Sequence, residues 1–128
     1  PGEHNGTFRG NNPAFVTSAA AIEHFWSDDT FEKEILAKGE RIRAAFTDLA
    51  DRFEGVSTRG RGMVHGLVFA DGDLAGKVTS MAYDQGLLAE TSGPSDEVVK
   101  LLPPLTISEE DLDHGLSILR QATETVCS

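Results

Sequence analysis

A small domain mixing helices with a few short strands is what this sequence predicts. Three observations lead there. Bulky apolar residues recur at helical spacing from Phe31 to Phe53. Short apolar runs at 63–69 and 98–102 are punctuated by glycine and proline. The 128 residues, 39% of them hydrophobic, are enough for one real core.

Residues 1–12 (PGEHNGTFRGNN) carry three glycines and three asparagines around a single bulky apolar residue, Phe8, which is loop chemistry. Pro13 suits a first helical turn, where its missing N–H costs nothing. The Ala-rich stretch that follows, to Trp26, is apolar on most faces and predicts a helix that is buried or sits in an interface. Ser27, Asp28, Asp29 and Thr30 break it.

The next helix is the clearest. Asp29 with Glu32 three residues on resembles a capping box. Phe31, Ile35, Ile42, Phe46, Leu49 and Phe53 make one apolar stripe, while Glu34, Lys38, Arg41, Asp48 and Arg52 fall mainly on other faces. Gly55 is a plausible stop. Gly39, which weakens a helix by about 1 kcal/mol relative to Ala, implies a close contact or a bend.

From Val56 the period changes. Arg59-Gly60-Arg61-Gly62 reads as a glycine turn leading into a strand built from Met63, Val64, Leu67, Val68 and Phe69. Asp71-Gly72 signals a turn, and Asp73 caps a helix running to Gln85 with Gly86 as its end. Leu87-Leu88-Ala89 reads as a short strand, and 91–95 as a loop. A further strand at 98–102 is stopped by Pro103-Pro104. Ser108 with Asp111 caps the last helix, whose stripe is Leu112, Leu116, Leu119, Thr123 and Val126. The order is helix, helix, strand, helix, strand, strand, helix, with no internal repeat.

Composition narrows the function classes. Lys and Arg number 11 against 21 Asp and Glu, a formal net charge of -10. That balance argues against nucleic acid and against an anionic membrane surface, since phosphate recognition needs clustered cations. No apolar run approaches the roughly 20 residues of a bilayer span. The single cysteine, Cys127, excludes an internal disulfide and a multi-cysteine metal site, points to a reducing, cytoplasmic setting, and is expected in a frayed terminus. The chain opens Pro1-Gly2-Glu3-His4 with no signal-peptide pattern, so a portion of a longer protein is expected.

The usual chemical motifs are weak. Gly60, Gly62 and Gly66 form G-x-G-x-x-x-G, one residue too long for a dinucleotide fingerprint and placed before a strand rather than after one. His4, His24, His65 and His114 show no i, i+4 pair, so zinc is not expected and packing or surface roles are; only His4, among loop glycines, invites attention. Glu109-Glu110-Asp111 suits a first helical turn, where acids complement the helix dipole, better than a metal.

Two stretches go further. His4-Asn5-Gly6-Thr7-Phe8-Arg9-Gly10-Asn11 resembles the H-x-x-T-F-x-G-N motif of the class III aminotransferases, which use pyridoxal 5'-phosphate (PLP). Val99-Lys100-Leu101-Leu102-Pro103-Pro104-Leu105-Thr106-Ile107 with the following Ser108-Glu109-Glu110-Asp111 resembles that family's R-x-x-P-P-L-x-I strand and final helix. Arg59-Gly60-Arg61-Gly62-Met63 is similar to its R-G-x-G-L turn. The wording of GEHNGTFRGNN and LLAETSGPSDEVVKLLPPLTISEEDL is most similar to the members of the class that serve ectoine biosynthesis.

The resemblance implies an α/β fold type I enzyme. Residues 1–26 would be the end of its large PLP-binding domain, loop plus connecting helix. Residues 27–128 would be the small C-terminal domain, an α+β unit with an antiparallel sheet covered by helices. It implies transfer of the amino group of L-glutamate to L-aspartate 4-semialdehyde, giving L-2,4-diaminobutyrate and 2-oxoglutarate, by a homodimer or higher homo-oligomer. Thr7 matches the family threonine that binds the PLP phosphate from the neighbouring subunit. Lys100 stands where many members have an arginine that pairs with the α-carboxylate of glutamate or 2-oxoglutarate. Lysine is a point charge rather than a planar fork, so Lys100 either attracts that carboxylate or snorkels off its strand as a surface lysine. The Schiff-base lysine lies upstream in the family; Lys33, Lys38, Lys77 and Lys100 are not in its context, so these 128 residues are expected to be inactive alone. Sibling transaminases acting on ornithine, acetylornithine or 4-aminobutyrate are the first alternative. The second is a non-catalytic α+β binding module, favoured by the missing lysine and disfavoured by the apolar stretch 14–26.

Overall fold

A computed structural model describes Gly6 and residues 10–128. Eight elements follow in order: α1 (Asn12–Phe25), α2 (Thr30–Arg52), β1 (Val56–Arg61), β2 (Val64–Phe69), α3 (Gly72–Asp84), β3 (Glu90–Ser92), β4 (Val98–Leu101) and α4 (Glu109–Cys127). The chain divides into two compact units, residues 1–34 and 35–128.

In the first unit, α1 starts where Asn11 accepts the N–H of Ala14 on its side-chain oxygen at 3.2 Å, with proline in the first turn. None of its residues is buried; Phe15, Val16 and Ile22 are exposed. Phe31, at the start of α2, meets Phe25 and Trp26 with ring centroids 4.9 and 5.2 Å away. The expected Asp29 cap is replaced by its neighbour. Asp28 takes the N–H of Thr30 at 2.8 Å, while the Asp29 carboxylate pairs with Lys33 at 2.6 Å.

The second unit holds the core. Its four-stranded sheet has the order β1-β2-β4-β3, antiparallel throughout. Ile42, Phe46 and Leu49 from α2, Ala75, Val78 and Ala82 from α3, and Leu112, Leu119 and Ala122 from α4 pack with Leu67, Phe69, Val99 and Leu101 of the sheet. The antiparallel sheet with helices is the fold expected from the sequence. The helical stripes of α2 and α4 are where periodicity put them, because residues three and four apart share a helix face. Gly55 and Gly86 end α2 and α3 at φ 78° and 91°, left-handed values that cost glycine little.

Four local expectations are corrected. The stretch 59–62 is not simply a turn, since Arg59, Gly60 and Arg61 belong to β1, an extra strand, and only Gly62 (φ 58°) and Met63 turn the chain toward β2. A strand without bulky residues gives no apolar alternation to read. Asp71 rather than Asp73 caps α3, accepting the N–H of Asp73 at 3.1 Å. The third strand is Glu90–Ser92, not Leu87–Ala89, and it runs into the expected loop 91–95, because its pairing with β4 rather than its own apolarity defines it. Cys127 is not frayed. It lies in the last turn of α4, half-buried against the core, and burial pushes its thiol pKa up.

Gly39 shows the close contact its presence implied. A Cβ there would stand 2.6 Å from the carbonyl oxygen of Gly62 and 2.9 Å from its carbonyl carbon, so α2 rests directly on the β1–β2 turn. Among the described residues, no helix is long and apolar enough to cross a membrane.

Candidate functional site

β4 is an interior strand, flanked by β2 and β3. Lys100 is its third residue. Gly66 of β2 stands opposite on one side and Glu90 of β3 on the other, and Arg59 of β1 stands opposite Gly66. Residues in register share a sheet face, so Arg59, Gly66, Lys100 and Glu90 form one row across the sheet. The alternate face carries Leu67, Val99 and Leu101 into the core. Gly66 is buried, and a Cβ on it would come within 2.7 Å of Val98 Cγ1, so the middle of the row is kept low.

Lys100 is engaged in an ion pair. Its Nζ lies 2.8 Å from Glu90 Oε2, with the two side chains 34% and 70% exposed. The hydrogen bond from Lys100, and then its charge, hold the Glu90 carboxyl below its ordinary pKa. Both residues border a groove of about 410 Å³ whose walls include Leu87, Leu88, Leu102 and Pro103. The groove is thus mostly apolar, with one cation, Lys100, and two acids, Glu90 and Asp111, among its lining residues. An ammonium has three N–H donors; with one directed to Glu90, others remain for a second acceptor.

Lys38 was expected on a polar face of α2, and it is buried. Its stem lies in the protein and its Nζ donates to the carbonyl oxygen of Leu105 at 3.3 Å, tying α2 to the segment that follows Pro103-Pro104. A buried amine needs such a polar partner. Neither Glu90 nor the buried Lys38 was picked out from the sequence. Glu90 could have been found only by knowing the strand register.

The remaining candidates fall as follows. Thr7 and His4 lie outside the described residues. Gly10, three residues beyond Thr7, is exposed, with open space where a Cβ would stand. His65 is buried on β2, with its ring edge toward Phe46 at 6.1 Å and its Nδ1 without a hydrogen-bond partner among the described residues. That is the packing role expected of it. Glu109, Glu110 and Asp111 occupy the first turn of α4, where Ser108 Oγ accepts the N–H of Asp111 at 3.0 Å and donates to its carboxylate at 2.7 Å. Among the described residues no cluster of three or more His, Cys, Asp or Glu could hold a metal.

Comparison with known proteins identifies the family. A family model described as aminotransferase class-III matches residues 1–123. The diaminobutyrate–2-oxoglutarate transaminase of Nocardia farcinica is 60% identical over 128 residues, covering 100% of this chain and 29% of the relative. That of Streptomyces avermitilis is 53% identical over 125 residues, covering 95% of this chain and 30% of the relative. Among solved structures, an acetylornithine aminotransferase from Elizabethkingia anophelis superposes with a TM-score of 0.77 at 26% identity, over 98% of this chain and 33% of that one. The chain therefore spans less than a third of the length of the curated relatives it matches.

Proposed function

We propose, from the premise that this chain belongs to the class III aminotransferases, that it is the C-terminal part of a PLP-dependent transaminase. The reaction we assign moves the amino group of L-glutamate to L-aspartate 4-semialdehyde and yields L-2,4-diaminobutyrate and 2-oxoglutarate, a step of ectoine biosynthesis in the cytoplasm. The observation that carries the reading is the 60% identity, along the whole chain, to a diaminobutyrate–2-oxoglutarate transaminase.

Residues 1–26 then close the large domain and 27–128 form the small one. Thr7, in its glycine-rich segment, holds the PLP phosphate of a neighbouring subunit, which makes a homodimer the minimal active unit. PLP when bound supplies the electron sink that amino-group exchange needs. The chain's own contribution is to hold and orient. Lys100 attracts the carboxylate of glutamate or 2-oxoglutarate, and the sheet fixes its backbone. Lys38, by gripping the Leu105 carbonyl, steadies the segment just after the strand that carries Lys100. The 128 residues lack a lysine in the Schiff-base context and do not transaminate alone.

The test is a full-length assay with glutamate against a panel of acceptors. Aspartate 4-semialdehyde should be preferred to glutamate 5-semialdehyde, N-acetylglutamate 5-semialdehyde and succinate semialdehyde. Preference for one of the others would replace the substrate assignment with that of a sibling enzyme. Thr7→Ala should weaken PLP retention, measured by absorbance after dialysis; unchanged retention would remove Thr7 from the cofactor site. Turnover by the isolated 128 residues would refute their dependence on the rest of the protein.

A further inference from the structure

We propose that Glu90 is a positioning and specificity residue for the carboxylate of the amino donor, holding Lys100 in place on the sheet while moderating its grip on the substrate. The inference rests on the reading of Lys100 as a carboxylate binder and goes beyond it, because nothing assigns Glu90 a role.

The geometry has three parts. First, Glu90 and Lys100 are direct cross-strand partners, so their Cα atoms are fixed by the ladder and not by chance side-chain encounter. Second, the ammonium and the carboxylate meet at 2.8 Å, and Glu90 is the acidic partner of Lys100 among the described residues. Third, both border the same apolar groove. A carboxylate that reaches the Lys100 ammonium there must also come close to the Glu90 carboxylate. The like charges oppose each other, more strongly beside apolar walls than in open water. The Glu90 carboxyl is held ionised by Lys100 itself, so the opposition persists through the neutral pH range.

Two consequences follow, one for geometry and one for affinity. Glu90 keeps the long, flexible lysine stem from wandering, which gives the point charge some of the fixed direction that an arginine fork would have. It also lowers affinity for an acid that must be bound as glutamate and released as 2-oxoglutarate in each cycle. Exposed ion pairs are weak, so the effect is modest. Removing the Glu90 charge should tighten donor binding by about two- to fivefold.

The experiment uses the full-length holoenzyme with Glu90→Gln, Lys100→Ala and the double variant. Glu90→Gln should lower KM for glutamate and for 2-oxoglutarate about two- to fivefold with little change in kcat, and the gain should shrink with added salt. The Kd of glutarate, an unreactive dicarboxylate, measured by calorimetry, should fall by the same factor. In the Lys100→Ala background the unpaired Glu90 charge still opposes the carboxylate, so Glu90→Gln should lower both quantities there as well, and no change there would overturn the charge opposition. If Lys100→Ala raises KM while Glu90→Gln leaves it unchanged or raises it, the moderating role of Glu90 is overturned and the role of Lys100 stands. If Lys100→Ala leaves both KM and the glutarate Kd unchanged, the Lys100 reading and the role of Glu90 fall together.

Discussion

Replacing Gly39 by alanine separates two physical effects that have opposite signs. Within a helix, alanine is favoured over glycine by about 0.8–1.0 kcal/mol. At this position, though, the new Cβ would stand 2.6 Å from the Gly62 carbonyl oxygen. Carbon and carbonyl oxygen meet comfortably at roughly 3.3 Å, so α2 and the β1–β2 turn would have to part by about 0.7 Å. The obstacle is backbone, and the turn is held by six register pairs from Val56↔Phe69 to Arg61↔Val64. Rotating a side chain relieves nothing. Overpacking of this kind costs typically 1–3 kcal/mol, and a backbone obstacle belongs at the upper end. Subtracting the propensity gain leaves a net loss of about 2 kcal/mol. Gly76 in α3 is the control, being exposed, with nothing within 4 Å of a Cβ. Gly76→Ala should therefore stabilise by up to about 1 kcal/mol. Urea unfolding followed by circular dichroism reads both, with midpoints moving in opposite directions and Gly39→Ala lowering its midpoint by about 1 M. If Gly39→Ala instead behaves like Gly76→Ala, the packing of α2 on the turn is wrong.

Three further outcomes are expected. Ser108→Ala should cost about 1 kcal/mol, since it removes the acceptor for the Asp111 N–H at the start of α4; a denaturation midpoint equal to that of the parent would dismiss the cap. Cys127, whose thiol pKa is raised by burial, should react with iodoacetamide more slowly than a free thiol at the same pH and at a free-thiol rate only after unfolding. The thiol is favoured in its neutral form by the fold, so its contribution to stability is complete below the ordinary thiol pKa and is lost as pH rises through the raised value. An unfolding midpoint that holds constant across that alkaline range would contradict the sign. Phe46→Ala should cost about 3–5 kcal/mol, because the ring is fully buried in the core and its loss leaves a cavity; a loss below about 1 kcal/mol in the same urea assay would mean that α2 is not seated as described.

Much of the helical part was legible because helix formation is a local affair. The stripe of Ile42, Phe46 and Leu49, the Ser108 cap and the stops at Gly55 and Gly86 each depend on residues within a few positions of one another. Even the strain-free reason for Gly39 could be anticipated in kind, though not which backbone it touches. The strands were harder. β1 contains Arg59, Gly60 and Arg61, and β3 contains Glu90, Thr91 and Ser92. Neither shows an apolar alternation, because each is stabilised by its neighbour's hydrogen bonds rather than by burying its own side chains.

What the sequence determined by itself is thus the set of helices, the mixed fold, and the short motifs that tie the chain to its family. Those are patterns of neighbouring residues. Tertiary structure alone decided the register of the sheet. Through that register it set Lys100 opposite Glu90, Arg59 opposite Gly66, and the buried amine of Lys38 against a carbonyl 67 residues away. The physical reason is that a one-residue slip in pairing would reverse every face of a strand, and no local spacing in the chain records which slip the folded core selects.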